Sequence, residues 1–153
     1  MDAITLKYLP IPSEIAADAR RDGVDRFGHA LVRQKAKAPC RHCLRIPASE
    51  EDLLLLSYQP LPDRNPYAEI GPIFVHEREC ASYESVHSFP VDFVERELVI
   101  RAYDARGHIF DAIVAASREG ERVAAEFLNN PTVEEIHVRH PSYTCFFFKI
   151  ARA

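Results

Sequence analysis

Two cysteines separated by two residues, Cys40 and Cys43 in the stretch APCRHCLRIP, are the clearest chemical signal in the sequence. Cysteines at this spacing can share a zinc ion, form a redox pair, or stay buried as free thiols. A structural zinc site needs four ligands, and no second pair with this spacing occurs in the chain. The remaining candidate ligands are Cys80, Cys145 and the seven histidines.

The local sequence pattern weighs against a metal site at this pair. Prolines bracket residues 40–46, which we interpret as a weak strand, and side chains that alternate along a strand would send the two thiols to opposite faces. A metal-binding turn favours a glycine after the second cysteine, where this chain has Leu44. A redox pair prefers a helix N-terminus, and Pro47 leaves no room for a helix.

The sequence therefore favours unliganded thiols in a strand that carries Arg41 into a site. The first alternative is a zinc site at Cys40 and Cys43, and the second is a dithiol redox centre.

Further polar residues lie inside apolar strands. Strand alternation places Arg101 on the face opposite its apolar neighbours, and it places His137 on the face opposite Ile136. A buried arginine needs a counter-charge, which is either Asp111 across the predicted hairpin or an anionic ligand.

A proline-rich connection, residues 59–72, contains four prolines and Tyr67 and lacks hydrophobic periodicity, which is typical of binding loops and lids as well as of rigid surface connections. His76 follows this loop and precedes a carboxylate, an arrangement suited to proton transfer.

Two functional hypotheses follow. In the first, a small anionic molecule binds under the 59–72 loop, with Arg41, Tyr67 and Arg101 as ligand-binding residues and His76 and His137 as catalytic residues. In the second, the protein is a non-enzymatic interaction module with a structural zinc ion at the cysteine pair. Its segment 20–45, which carries eight basic and two acidic residues, would then contact an acidic partner or pair with the rest of the protein.

Composition limits the other possibilities. The chain has 153 residues, 47% of them hydrophobic and 27% charged, which is typical of one globular domain over residues 1–153. A net charge of −4 argues against general nucleic-acid binding. No apolar run approaches the roughly 20 residues that span a bilayer, and no secretory signal is evident, so we expect a cytoplasmic protein with reduced thiols. The sequence does not indicate an oligomeric state.

Hydrophobic patterning predicts an α+β fold with a mainly antiparallel sheet. Strands are expected over residues 4–9, 52–58, 71–77, 97–104 and 108–116, with two more within 132–151, and 27–34 is ambiguous. The sequence DARG predicts a hairpin turn. Helices are expected over 14–21, which Gly23 would end, and over 118–129 with Ser117 as N-cap.

From about residue 39 to the end, the chain resembles a bacterial family of domains of unknown function, the one numbered 1203. The resemblance rests on PCRHCL, LLLLSYQP, NPYAEIGPIFVHE, RAYDARGHIFDA and the closing IHVRH and CFFFKI, which occur in this order. It implies a single soluble domain with no established activity, and it supplies no catalytic residues.

Overall fold

The structure, a computed structural model, describes residues 3–63 and 65–153. Its regular elements in these ranges are eight strands, two α-helices and a short 3₁₀ helix at Val91–Phe93. The strands are β1 (Leu6–Leu9), β2 (Val32–Ala36), β3 (Glu51–Tyr58), β4 (Gly71–His76), β5 (Leu98–Asp104), β6 (Ile109–Ala115), β7 (Val133–Arg139) and β8 (Phe146–Arg152); the helices are α1 (Ser13–Asp22) and α2 (Gly120–Leu128).

Five strands form the larger sheet, in the antiparallel order β1-β8-β7-β5-β6. Its interior face is built from β-branched and aromatic residues that align across strands, such as Ile100 opposite Val138 and Val138 opposite Phe148, and all three are fully buried. Helix α2 covers this face with Val123, Ala124 and Leu128. Burial of each large side chain contributes about 1.5–3 kcal/mol, so this face forms the main core.

Strands β2, β3 and β4 form the smaller sheet, which is also antiparallel. Helix α1 packs its small apolar face, which includes Ile15, Ala16 and Ala19, into a second core with β3 and β4. As predicted, Gly23 ends the helix. It takes the left-handed conformation, and its N–H donates a hydrogen bond to the carbonyl of Ala19. Cys40 is a fully buried member of this second core.

The proline-rich connection runs from β3 to β4 and contacts the larger sheet. Asn65 donates a hydrogen bond to the carbonyl of Arg106 in the β5–β6 turn, and Glu69 pairs with Arg101 at 2.8 Å. The ring of Tyr67 lies 5.5 Å from the ring of His108. The loop therefore joins the two sheets at their edge.

The predicted α+β fold and antiparallel pairing are confirmed, as is the β5–β6 hairpin. The predicted strand over 40–46 is wrong, because residues 41–43 form a turn and Leu44 has a φ of 56°. Ser117 does not cap α2; its hydroxyl donates to the carbonyl of Glu95 instead. None of the described helices is long and apolar enough to span a bilayer.

Candidate metal centre

Four potential metal ligands converge beside the smaller sheet. The sulfurs of Cys40, Cys43 and Cys80 and a ring nitrogen of His76 all lie within 4.8 Å of one another. The Sγ atoms of Cys40 and Cys80 are 3.8 Å apart, and Cys43 Sγ lies 3.5 Å from His76 Nδ1. All four cysteines of the chain are free thiols.

The separations of 3.8 Å and 3.5 Å match two edges of a tetrahedron around zinc. With Zn–S bonds of about 2.3 Å and Zn–N bonds of about 2.0–2.1 Å, tetrahedral geometry places two sulfurs about 3.8 Å apart and a sulfur and a nitrogen about 3.5 Å apart. A disulfide would need sulfurs at about 2.05 Å. The donor set of three thiolates and one imidazole is one that structural zinc sites use.

The first two ligands lie on a tight turn. The N–H of Leu44 bonds the carbonyl of Cys40, and the N–H of Cys40 bonds the carbonyl of Arg45. Leu44 takes the left-handed conformation that a glycine would adopt without strain, and this geometry brings both thiols to the same side. Its side chain is buried in the core of the larger sheet, which offsets the unfavourable backbone.

The second two ligands follow each other closely in the chain. His76 is the last residue of β4, and Cys80 lies four residues later. The backbone N–H of His76 points at Cys40 Sγ, 3.4 Å away. Arg20 of α1 holds this segment from the other side, because its guanidinium donates twice to the carbonyl of His76.

Polar groups around the four ligands form hydrogen bonds that orient the ligand side chains. Glu51 accepts a hydrogen bond from His76 Nε2 at 2.6 Å, which leaves Nδ1 facing the thiols. Such a carboxylate fixes the ring tautomer of a metal-ligating histidine and raises its basicity. His42 Nδ1 lies 3.3 Å from Cys80 Sγ, and its Nε2 pairs with the hydroxyl of Ser13.

The electrostatics of the site favour a bound cation. Hydrogen bonds with Cys43 and Cys80 lower the pKa of the Cys40 thiol, and the sulfurs of Cys40 and Cys80 raise the pKa of His76 to about 10. A divalent metal would displace the histidine proton and leave three thiolates with a net charge of −1. The guanidinium of Arg20, with Nη2 3.8 Å from Cys80 Sγ, offsets that charge.

The arrangement suits a structural site better than a catalytic one. Four protein ligands complete a tetrahedron, whereas catalytic zinc keeps a position for water or substrate. A surface groove of about 280 Å³, lined by Glu51, His76, Arg78, Glu79 and Cys80, reaches the ligands and gives a metal a route of entry.

The five residues predicted to share an anion pocket do not all come together in the structure. His76 belongs to the metal centre, and the ring of Tyr67 lies against that of His108. Arg41 is buried and donates to the carbonyls of Phe146 and Pro39.

Only Arg101 and His137 come together. They are cross-strand partners beneath the 59–72 loop. Arg101 pairs there with Glu69, and the expected pairing with Asp111 is wrong, because Asp111 lies opposite Ala102 instead. His137 is fully buried and bonds Glu135 at 2.8 Å, and burial lowers its pKa. The catalytic roles of His76 and His137 and the binding roles of Arg41, Tyr67 and Arg101 stay predictions.

The basic segment 20–45 is largely compensated within the protein. Five of its basic side chains pair with carboxylates: Arg21 with Asp18 and Asp22, Arg26 with Asp18, Arg33 with Glu77, Lys35 with Asp52 and Arg45 with Asp92. This pattern fits the interpretation of a segment that pairs with the rest of the protein.

Sequence reasoning named Cys80 as a candidate ligand but did not join it to the pair. The available signal was His76 and Cys80 four residues apart, a second pair of ligand-type residues directly after a predicted strand. The prediction of divergent thiols failed because it assumed a strand where the chain makes a turn.

Comparison with known proteins gives a family but no activity. A family model described as "Protein of unknown function (DUF1203)" matches residues 37–152, a range that contains all four ligand positions. No curated protein and no solved structure matches the chain. The chain therefore belongs to the DUF1203 family of proteins of unknown function.

Proposed function

We propose that this protein is a zinc-stabilised, non-enzymatic binding domain in which Cys40, Cys43, His76 and Cys80 hold one structural zinc ion. The observation that carries the proposal is the convergence of four ligand atoms from two separate segments within 4.8 Å of one another, with two of their separations at the values expected for tetrahedral zinc. The Glu51 contact to His76 supports it, because a carboxylate behind a histidine is the usual outer partner of a zinc ligand.

The zinc ion would act as a cross-link. It would connect the turn at 40–44 to the end of β4, and through Arg20 it would fix the adjacent segment against α1. These parts surround a small core, and small cores commonly depend on a metal or a disulfide for stability. Thiolate ligands must stay reduced, which is consistent with the expected cytoplasmic location.

Metal content of the purified full-length protein tests the proposal. We expect one zinc ion per chain by inductively coupled plasma mass spectrometry. The variant Cys80→Ser should lose the zinc during dialysis against a mild chelator. Cys145→Ser is the matched control, because Cys145 lies outside the cluster and its thiol donates a weak hydrogen bond to the carbonyl of Tyr143; it should keep one zinc ion.

Two outcomes would overturn the proposal. One is a folded wild-type protein that takes up no zinc when zinc is supplied under reducing conditions. The other is equal zinc retention in Cys80→Ser and Cys145→Ser. If Cys80→Ser does not fold, titration of the wild-type protein with Co²⁺ replaces it, and the absence of thiolate-to-cobalt charge-transfer absorption then contradicts the proposal.

A further inference from the structure

A cavity of about 530 Å³ lies where the two sheets meet, away from the groove at the metal centre. It is bounded by the end of β2, the chain leading into the 40–44 turn, β4 and the β7–β8 turn. Phe74 and Phe147 form apolar walls, and Lys37, Arg41, Arg96 and His140 supply the charged and ionisable groups. Among residues 3–63 and 65–153 no carboxylate lines it, although acidic residues outnumber basic ones in the chain.

The three cations of this cavity have no acidic partner among the described residues. Lys37, Arg41 and Arg96 make no salt bridge there, whereas most other arginines of the protein do. Three like charges around one hollow repel each other, and an anion that binds between them relieves the repulsion.

Arg41 is the most constrained of these groups. It is 3% exposed, its Nε donates to the carbonyl of Phe146 at 2.7 Å, and its Nη1 donates to the carbonyl of Pro39 at 2.6 Å. The guanidinium carbon lies 5.1 Å from the ring centre of Phe147. Its Nη2 has no hydrogen-bond partner in residues 3–63 and 65–153, so a fixed, charged donor remains for a ligand.

His140 presents a second donor. Its Nδ1 accepts hydrogen bonds from the backbone N–H groups of Ser142 and Tyr143, both at 3.1 Å, so the proton of the neutral ring lies on Nε2. Burial and the nearby guanidinium groups of Arg96 and Arg41 lower the pKa of His140, which keeps the ring neutral. The cavity therefore combines cationic and neutral N–H donors.

We propose that this cavity binds a small organic phosphate. Three positive charges exceed the single negative charge of a monocarboxylate. A phosphate monoester is a better match, because it carries a charge of about −1.5 to −2 and three acceptor oxygens. The volume lies in the usual range for small-molecule sites, about 300–1,000 Å³, and leaves room for an organic group against Phe74 and Phe147. Arg41 would bind the phosphate, with Arg96, Lys37 and His140 around it.

Calorimetric titration of the zinc-loaded full-length protein with inorganic pyrophosphate and with citrate, at constant ionic strength, tests this proposal. We expect saturable pyrophosphate binding that is tighter than citrate binding. The double variant Lys37→Ala/Arg96→Ala should weaken pyrophosphate binding about 10-fold or more, the change expected from losing charged hydrogen-bond donors. It spares Arg41, whose buried hydrogen bonds support the fold.

The matched control is Arg118→Ala/Arg122→Ala, which removes the same charge from exposed ion pairs near the start of α2. It should change pyrophosphate affinity less than 2-fold. Absence of saturable binding, equal weakening in the two double variants, or tighter binding of citrate would each overturn the proposal. Zinc content is measured in every variant, so that failure of the phosphate site is distinguished from loss of the metal.

Discussion

The two sheets of this protein are stabilised in different ways. The larger sheet encloses a core of 17 buried residues that includes Tyr8, Phe93, Phe147 and Phe148, with α2 packed across it. The core of the smaller sheet has ten, of which Phe146 is the only aromatic one, and four ligand atoms lie at its edge. A large apolar core supports its sheet by burial alone, whereas a small one gains most from a cross-link.

Metal removal should have the largest effect, and it should destabilise the smaller sheet more than the larger one. Structural zinc contributes about 10–16 kcal/mol of apparent binding free energy in small domains, so chelation should lower the free energy of opening of β3 and β4 by about 3 kcal/mol or more. The backbone amides of strands β5 and β7 should keep their protection against hydrogen exchange. Amide hydrogen exchange with and without a chelator measures both effects.

Addition of zinc should restore the protection of β3 and β4, and magnesium, which prefers oxygen ligands, should not. Equal loss of protection in both sheets on chelation would show that they do not differ in their dependence on the metal.

Leu44 links the two regions, because its backbone shapes the metal-binding turn and its side chain lies in the larger core. Leu44→Ala should destabilise the protein by about 2–5 kcal/mol through the cavity it leaves. Replacing alanine by glycine normally lowers the stability of a folded protein by about 0.5–1 kcal/mol. At a position with a left-handed backbone, however, glycine avoids a strain of about 1–2 kcal/mol that alanine would carry.

Leu44→Gly should therefore be at least as stable as Leu44→Ala in urea unfolding, and both variants should retain zinc. A glycine variant clearly less stable than the alanine variant would contradict the left-handed conformation of this turn.

A smaller effect is expected at the carboxylate behind His76. Glu51→Gln removes the charge that orients the imidazole and should weaken zinc affinity about 10- to 100-fold, measured by competition with a chelating dye. Asp52→Asn is the matched control, because Asp52 is the next residue of β3 and pairs only with Lys35 among the described side chains. Similar zinc affinities in the two variants would show that Glu51 does not contribute to zinc binding.

The smallest effect concerns His137, whose buried ring lies tilted against Tyr103 and edge-on to Phe146. Burial lowers its pKa, so the unfolded chain takes up a proton near pH 6.5 that the folded protein does not. Stability should therefore fall as pH drops from 7.5 to 6, by up to about 0.8 kcal/mol from this residue.

His137→Phe should lose that part of the pH dependence in chemical denaturation, while His29→Phe, at an exposed position, should retain it. An unchanged pH profile in His137→Phe would mean that the pKa of this histidine is the same in the folded and unfolded states, which would contradict the effect of burial.

Much of the fold could be predicted from local sequence patterns. The alternation in β5 and β7 correctly placed Ile100 and Ile136 in the larger core and Arg101 and His137 on the other face, because successive side chains of a strand point to opposite faces of the sheet. The family was also identified correctly from its motifs.

The site was harder to predict because it depends on tertiary structure. Residues 40–46 look extended in sequence, yet they form a turn because a leucine tolerates a left-handed backbone when its side chain is buried. The approach of Cys80 to Cys40 follows from the parallel bridge between Cys40 and Phe74 of β4, and no spacing rule encodes it. Arg96 likewise reaches the cavity of Lys37 and Arg41 from a distant part of the chain.

X-ray absorption at the zinc K edge identifies the atoms bound to the metal and so decides whether the four ligands hold zinc. We expect three sulfur ligands at about 2.3 Å and one nitrogen at about 2.0–2.1 Å in the purified full-length protein. A spectrum with oxygen ligands, or with two or fewer sulfurs per zinc, would contradict a closed site made by Cys40, Cys43, His76 and Cys80.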